Sequence, residues 1–176
     1  LTGAIPSELG HLTGLVYNLN FYANSLTSTI PTQIARLTKL TSFLYLYLNS
    51  LDGGIPSQFG QLTGLLSNLD LYENNLNGSL PTQLGLMTKF KEYLQVQSNK
   101  LTRTIPTELG QMTGFLNNLF LDTNSLNESI PTQIGGMTEM TDAISLLRNS
   151  LSGRIPSELG RMTKMAQSVS LQYNLV

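Results

Sequence analysis

Apolar residues recur along the chain with a fixed period of 25 residues. In the first period they are Leu1, Ile5, Leu9, Leu12, Leu15, Leu19 and Phe21. The same seven columns, followed through seven repeats, contain only Leu, Ile, Val, Phe or Met. Apolar and polar residues alternate, as in a β-strand, only in the segment around Leu19 and Phe21. The spacing of the other apolar residues fits neither a helix nor a strand. The pattern therefore predicts a coil that turns inward several times in each repeat.

The repeats begin at residues 1, 26, 51, 76, 101, 126 and 151, and we assign residues 1–176 to a single domain. One coil cannot bury its own apolar interior, whereas stacked coils share a core and pair their strands as a parallel sheet with rungs about 4.8 Å apart. The strands are expected to centre on Asn20, Tyr45, Asp70, Gln95, Phe120, Ser145 and Ser170. The apolar columns are expected to be buried except at the two ends of the stack.

Three further columns follow the same period. All seven prolines lie in the column of Pro6, where a fixed φ and a missing N–H suit a corner outside the main sheet. The column of Asn24 is Asn in every repeat, and an inward Asn at a turn can bond open backbone groups and form a ladder. The column of Gly10 suits a tight turn, but Ala35 interrupts it, so a positive φ is not strictly required there.

The segment from Leu51 to Thr63, LDGGIPSQFGQLT, resembles the plant-type leucine-rich repeat, whose pattern is LxGxIPxxLGxLxxLxxLxLxxNx. The resemblance extends over the whole chain in seven copies. It implies a leucine-rich-repeat solenoid, a right-handed arc with the parallel sheet on its concave face. It also implies an extracellular or cell-surface location and the binding of proteins, peptides or saccharides.

The chain departs from this pattern in two ways. Each repeat has one residue more than the pattern, inserted between Leu15 and Leu19 and their equivalents. We predict that Val16, Tyr17 and Asn18 form a bulge or a widened turn before each strand. The capping modules that usually close such solenoids are not visible, so we expect a fragment of a longer protein or a unit that self-associates through open ends.

Composition and charge argue against several classes of function. The net charge is −1, and the Lys and Arg residues are scattered, unlike the clustered basic surface that nucleic acid requires. No apolar run reaches the roughly 20 residues of a membrane span. The chain has no Cys and one His, His11, which argues against disulfide, zinc and thiol chemistry. We expect no cofactor and no metal site.

Carboxylates on the predicted sheet face are the remaining candidates for catalysis. Asp70, Glu73 and Asp122 lie on this face. Glycoside hydrolysis needs two carboxylates, but acids on an open face do not form a desolvated cleft. We therefore predict that the chain is not an enzyme.

The outward positions of the predicted strands form the most informative surface. Aromatic residues concentrate there in the first half of the chain, beside two acids. Clustered exposed aromatics are typical of a binding surface, although Tyr22, Tyr47 and Tyr72 could instead stack on one another and stiffen the sheet. The candidate ligand-binding residues are Tyr22, Phe43, Tyr45, Tyr47, Asp70, Tyr72, Glu73, Tyr93, Gln95 and Gln97.

A second array of Thr, Ser and Asn occupies the second and fourth positions of several repeats, as at Thr27 and Thr29. Such arrays are typical of ice-binding solenoids, and also of an ordinary side strand in a plant-type repeat. N-glycosylation sequons begin at Asn77 and Asn127 within the same array. Glycans at these positions would cover an ice-binding face.

The sequence favours a non-catalytic module that binds a protein, peptide or saccharide on its concave face. Two alternatives stay open. One is a structural unit that stacks end to end into a filament or coat, and the other is an ice-binding solenoid.

Overall fold

The computed structural model describes residues 1–175 and shows seven stacked coils, each of which contributes one strand to a parallel sheet, the main sheet. Its strands are Asn18–Asn20, Phe43–Tyr45, Asn68–Asp70, Tyr93–Gln95, Asn118–Phe120, Ile144–Ser145 and Val169–Ser170. Equivalent residues of neighbouring coils pair, as Leu44 with Leu69 and Leu69 with Leu94. Each strand ends at the residue on which we expected it to centre, although the N–H of Phe21 still donates to Tyr45 O at 2.8 Å.

A five-residue 3-10 helix follows the proline of every coil. The prolines have φ between −67° and −59°, which the pyrrolidine ring imposes. The sequence pattern did not predict these helices, because five residues are too few to show a periodicity. They are Ser7–His11, Thr32–Arg36, Ser57–Gln61, Thr82–Leu86, Thr107–Gln111, Thr132–Gly136 and Ser157–Arg161. Among the residues described, no helix has the length and apolar character that crossing a membrane requires.

Short strands near the start of six of the seven coils form a side sheet in two parts, and in the third coil isolated bridges join Asp52 to Thr29 and Gly54 to Asn77. Thr2–Ala4 pairs with Ser25–Thr27. The second part contains Asn77–Gly78, Lys100–Arg103, Ser125–Glu128 and Ser150–Leu151. The third residue of every coil has a positive φ, including the non-glycine residues Ser28, Arg103 and Glu128. The backbone therefore turns between the second and fourth residues of each coil, the two positions that carry the Thr, Ser and Asn array.

The core is continuous and lies between the main sheet, the side sheet and the 3-10 helices. Every apolar-column residue of the five inner coils is buried, and Leu69 and Leu71 are completely inaccessible. The column members that keep some exposure all belong to the first or the last coil: Leu1, Leu9, Leu12, Leu15, Phe21, Ile155, Leu159, Met165, Val169 and Leu171. This confirms the predicted pattern of burial.

The glycine column has a cause that the sequence interpretation missed. A Cβ atom at Gly85 would lie 2.3 Å from Glu108 O in the next coil, whereas one at Gly160 would meet no atom within 4 Å. Neither glycine has a positive φ. The tight-turn interpretation is wrong, because glycine here lets successive 3-10 helices approach closely. The inference from Ala35, that a positive φ is not required, is confirmed.

The asparagine column forms the predicted ladder. Asn74 Oδ1 accepts a hydrogen bond from Leu51 N at 3.0 Å, and its Nδ2 donates to Leu46 O at 3.0 Å in the preceding coil. The same Nδ2 also donates within its own coil, to Leu71 O and Tyr72 O. One side chain thus satisfies backbone groups of two coils.

In the first five coils the extra residue forms the predicted bulge. Two consecutive carbonyls, Val16 O and Tyr17 O, accept from Thr41 N at 2.7 Å and Phe43 N at 3.2 Å, which are two residues apart. In an unbroken parallel pair of strands, donors two residues apart would bond to carbonyls that are also two residues apart. The same shift recurs in the next three coils. Tyr17, on the bulge of the first coil, is 71% exposed.

Candidate ligand-binding site on the main sheet

Three tyrosines at the same position of three successive coils form a column of stacked rings. The centroids of Tyr22 and Tyr47 lie 4.8 Å apart with 9° between the ring planes, and those of Tyr47 and Tyr72 lie 4.4 Å apart with 12°. The three rings therefore stack on one another, as the sequence allowed. Stacking leaves the ring edges accessible, since Tyr22 is 45% exposed and Tyr47 and Tyr72 are half-buried.

A second aromatic pair meets this column at a steep angle. Phe43 and Tyr45 stack with their centroids 4.9 Å apart. The ring plane of Tyr45 makes angles of 82° and 73° with those of Tyr22 and Tyr47, at centroid distances of 6.5 and 5.5 Å. We call Tyr22, Phe43, Tyr45, Tyr47 and Tyr72 the aromatic corner. Stacked and edge-to-face contacts of this kind stabilise the rings beyond the area that they bury.

Asp70 is buried on the same side of the sheet. It pairs in the sheet with Tyr45 of the preceding coil and Gln95 of the following coil. The equivalent residue of the first coil, Asn20, is exposed, yet Asp70 is only 5% exposed. Asn68 Nδ2 donates a hydrogen bond to Asp70 Oδ2 at 3.4 Å, whereas Asp70 Oδ1 is buried and has no hydrogen-bond partner. The aromatic corner therefore adjoins a carboxylate of which one oxygen has a hydrogen-bond partner and the other has none.

The electrostatics of the site follow from this burial. Burial raises the pKa of Asp70 to about 7, and the hydrogen bond from Asn68 opposes part of the increase. Burial also raises the pKa of Tyr45 and of Tyr72 to about 12, and the negative charge of Asp70 contributes to both increases. The hydroxyls of Tyr45 and Tyr72 stay neutral at ordinary pH and can donate hydrogen bonds.

The other predicted site residues lie around this corner. Tyr93, Gln95 and Gln97 are half-buried in the next coil. Gln97 Nε2 donates to Gln95 Oε1 at 3.3 Å, and Gln97 Oε1 is buried without a partner. Glu73 is exposed and has a φ of 51°, so it lies at the turn that follows the strand. The structure brings together the aromatic corner, Asp70 and a strip of amides, with Glu73 at the rim.

Sequence reasoning missed Asn68 as a site residue and missed the burial of Asp70. The first could have been found, because the alternation of a strand places residues 68 and 70 on one face. The second has no signal in the local sequence, since the sheet neighbours of Asp70, Tyr45 and Gln95, belong to other coils.

Outside the main sheet, the described residues offer few ionisable side chains that lie close together. Within residues 1–175, no three His, Cys, Asp or Glu side chains lie close enough to hold a metal ion. The one salt bridge in this range joins Lys164 Nζ and Glu139 Oε2 at 2.6 Å on the surface. His11 is exposed at the end of the first 3-10 helix.

Comparison with protein-family models and with curated proteins finds no match. Solved structures do match. The LRR ectodomain of the plant membrane receptor kinase GASSHO1/SCHENGEN3 from Arabidopsis thaliana, in complex with CASPARIAN STRIP INTEGRITY FACTOR 2, has a TM-score of 0.91 and 33% identity over 99% of this chain and 20% of that chain. The Arabidopsis receptor kinase HAESA, in complex with the peptide hormone IDA and the co-receptor SERK1, has a TM-score of 0.87 and 33% identity over 99% and 29% of the two chains. The chain has the leucine-rich-repeat fold.

A plant ice-binding protein shares this fold, with a TM-score of 0.84 and 30% identity over 99% of this chain and 54% of that chain. The leucine-rich-repeat chain spans 20% and 29% of the two receptor chains. Because proteins with different ligands share the fold, the function must be argued from the site.

Proposed function

We propose that this leucine-rich-repeat chain is a non-catalytic binding module of an extracellular or cell-surface protein, and that it holds a peptide or a protein segment on the main sheet. The aromatic corner carries this proposal, because five aromatic side chains from three coils form one continuous surface. Tyrosine is enriched in binding hot spots, since its ring buries a large area while its hydroxyl still forms hydrogen bonds.

The similar solved structures support this proposal. One is the ectodomain of a plant membrane receptor kinase, and the other is a receptor kinase in complex with a peptide hormone and a co-receptor. These ectodomains are several times longer than this chain. We therefore take from them only the class of ligand and the location, and we argue the binding surface from the residues of this chain.

The proposed surface combines apolar rings with amides that suit a peptide. Gln95 and Gln97 can donate to and accept from peptide backbone groups, while the rings receive apolar side chains. A saccharide would use the same rings and amides, and it is the alternative ligand of this surface. The proposed ligand-binding residues are Tyr22, Phe43, Tyr45, Tyr47, Asp70, Tyr72, Glu73, Tyr93, Gln95 and Gln97.

A displayed random-peptide library, selected on the immobilised chain, tests the proposal. We expect selected peptides to bind Tyr45→Ala at least tenfold more weakly than the wild type, which is the scale of a hot spot. Tyr17→Ala is the matched control, since Tyr17 is a tyrosine on the bulge with 71% exposure. Denaturation curves confirm that both variants fold. Selection of no peptide, or equal loss in the two variants, would contradict the proposal.

Ice binding is the second candidate, and the similarity to a plant ice-binding protein favours it. Thr27, Thr29 and Thr104 are exposed in the side array. However, the side sheet is reduced to isolated bridges at the third coil, and the positive φ at each third residue turns the chain within the array. We expect no thermal hysteresis from the wild-type chain. A measurable freezing gap that Thr27→Val or Thr104→Val changes would favour this candidate over peptide binding.

Two sequons complete the proposal for an extracellular location. Asn77 and Asn127 are exposed on the side array. They lie two coils apart, about 10 Å at the spacing of parallel strands. We propose that both are glycosylated in a secretory host, which would leave the main sheet open. Mass spectrometry of protein from such a host, before and after glycosidase treatment, would detect the two glycans.

A further inference from the structure

A groove runs along the corner of the stack where the side sheet meets the 3-10 helices, away from the main sheet. Its larger part, in the fourth to sixth coils, has a volume of about 540 Å³. A second part of about 360 Å³ continues it into the third coil, and the two parts share Ser79, Leu80 and Thr82. At the spacing of parallel strands, the outer two of these four coils lie about 14 Å apart. The groove therefore follows the axis of the stack over four coils.

The groove has an apolar floor between two rows of hydroxyl groups. In the fifth coil, Ile105 and Pro106 are buried at the floor, while Thr104 and Thr107 are exposed on either side of them. The adjoining coils repeat this arrangement. One row is Ser79, Thr104 and Ser129, and the other is Ser57, Thr82, Thr107 and Thr132, all of them exposed. A ligand in the groove meets apolar atoms below it and hydroxyls along both of its edges.

The hydroxyl rows can both accept and donate hydrogen bonds. Thr107 Oγ1 donates to Glu108 Oε2 at 3.1 Å, and Thr132 Oγ1 donates to Gln133 Oε1 at 3.3 Å. These contacts direct the two hydroxyl hydrogens to the neighbouring side chain and leave the oxygen lone pairs as acceptors. The hydroxyl of Thr104, in the opposite row, is exposed and can rotate to donate. The two edges of the groove thus complement a ligand that itself carries hydroxyls.

We propose that this groove binds a linear, neutral oligosaccharide, which lies along the stack with one sugar residue for each coil. A sugar ring has C–H groups on its faces and hydroxyls at its edges, which match the floor and the two rows. The charges that line the groove have both signs, with Arg103 and Glu128 at the same position of successive coils, so the groove suits an uncharged ligand. This site goes beyond the proposed function, which concerns the main sheet.

The period of the hydroxyl rows favours a saccharide over a peptide. Successive coils are about 4.8 Å apart, and a sugar ring linked at opposite corners advances its chain by about the same length. An extended peptide advances only about 3.3 Å for each residue, so its polar groups fall out of register with the rows within a few coils. A linear saccharide can instead present the same edge hydroxyls to every coil of the groove.

NMR titration with cellohexaose, a linear β-linked glucose hexamer, tests the groove on the complete chain. Protein from a bacterial host is used, so that no N-glycan is present at the sequons. We expect cellohexaose to shift the resonances of Thr104 and Thr107. The affinity should rise from cellobiose to cellotetraose and change little with longer chains, because the groove spans four coils. Maltohexaose, the α-linked isomer with a curved chain, should bind about tenfold more weakly or not at all.

A double variant, Thr104→Val with Thr107→Val, removes one hydroxyl from each row and keeps the shape of both side chains. It should bind cellohexaose about tenfold more weakly than the wild type, which is the scale of two lost hydrogen bonds. Thr113→Val is the matched control, since Thr113 is exposed in the same coil and does not line the groove. Denaturation curves establish that both variants fold.

The outcomes separate this inference from the proposed function. Equal affinity for cellohexaose and maltohexaose, or equal binding by the double variant and Thr113→Val, would overturn the saccharide groove. So would cellohexaose shifts at Tyr45 and Tyr47 in place of the groove, because the saccharide would then bind the main sheet. If the groove is correct, Tyr45→Ala keeps its affinity for cellohexaose, and the double variant keeps its affinity for the library peptides. Each of the two proposals can therefore fail while the other stands.

Discussion

Single residues in this chain act mainly through the neighbouring coils. The ladder role of Asn74 could be predicted from the sequence, because an Asn repeated at every turn can bond the backbone groups that each turn leaves open. The cause of the glycine column could not be found in the same way. The atom that a Cβ at Gly85 would meet, Glu108 O, lies 23 residues further along the chain. Its distance depends on how closely the coils stack, which no local pattern records.

The position of Asp70 on the sheet could be predicted from the sequence, as the role of Asn74 could, but its burial could not. Strand alternation places it on the outward face, yet it is only 5% exposed between Tyr45 and Gln95 of the neighbouring strands. An acid whose pKa is raised in the folded state stabilises the fold less when it is ionised. The effect of Asp70 on stability should therefore be unfavourable above pH 7 and should disappear near pH 4.

Asp70→Asn tests this dependence on pH. The wild-type free energy of unfolding should fall as the pH rises from about 4 to about 7, because the unfolded chain releases the proton at lower pH than the folded one. Asp70→Asn should be about 1 to 4 kcal/mol more stable than wild type at pH 8 and similar to it at pH 4. Urea denaturation at a series of pH values measures this, with Asp122→Asn as the control. Parallel profiles for wild type and Asp70→Asn would contradict the predicted burial cost.

The elements of each coil differ in how far sequence patterns can predict them. The main-sheet strand and the bulge follow from counting between apolar columns, since Leu15 and Leu19 must both reach the core with three residues between them. The 3-10 helix does not follow, because one five-residue turn has no period to detect. The stacking of Tyr22, Tyr47 and Tyr72 could be expected from their equal positions in three successive repeats, and the ring angles show it. Whether these rings also bind a ligand does not follow from the stacking.

The tyrosine column should behave as a cooperative element. Tyr47→Leu removes stacking on both sides and the edge-to-face contact with Tyr45, while Tyr72→Leu removes only the contact with Tyr47. At about 0.5–1.5 kcal/mol for each aromatic pair, Tyr47→Leu should cost about three times as much stability as Tyr72→Leu. Chemical denaturation of both single variants and the double variant gives the coupling energy. Strictly additive losses would mean that the rings adjoin without stabilising one another.

At the scale of the whole molecule, each coil contacts only its neighbours, so the effect of one substitution depends on its place in the stack. Stability in such a solenoid is close to a sum of coil and interface contributions. The column of Leu69 allows a direct comparison. Leu69 is completely buried between Leu44 and Leu94, whereas Val169 occupies the same column in the last coil and is 42% exposed.

Leu69→Ala should therefore cost about 2–5 kcal/mol, because the cavity is bounded on both sides by coils that cannot collapse into it. Val169→Ala removes apolar atoms that are already partly in water, and its cost should stay below about 1 kcal/mol. Both values come from urea denaturation followed by circular dichroism. If the two substitutions cost the same, the core would not be continuous through the stack, and the picture of coils stabilised by the neighbours on either side would fail.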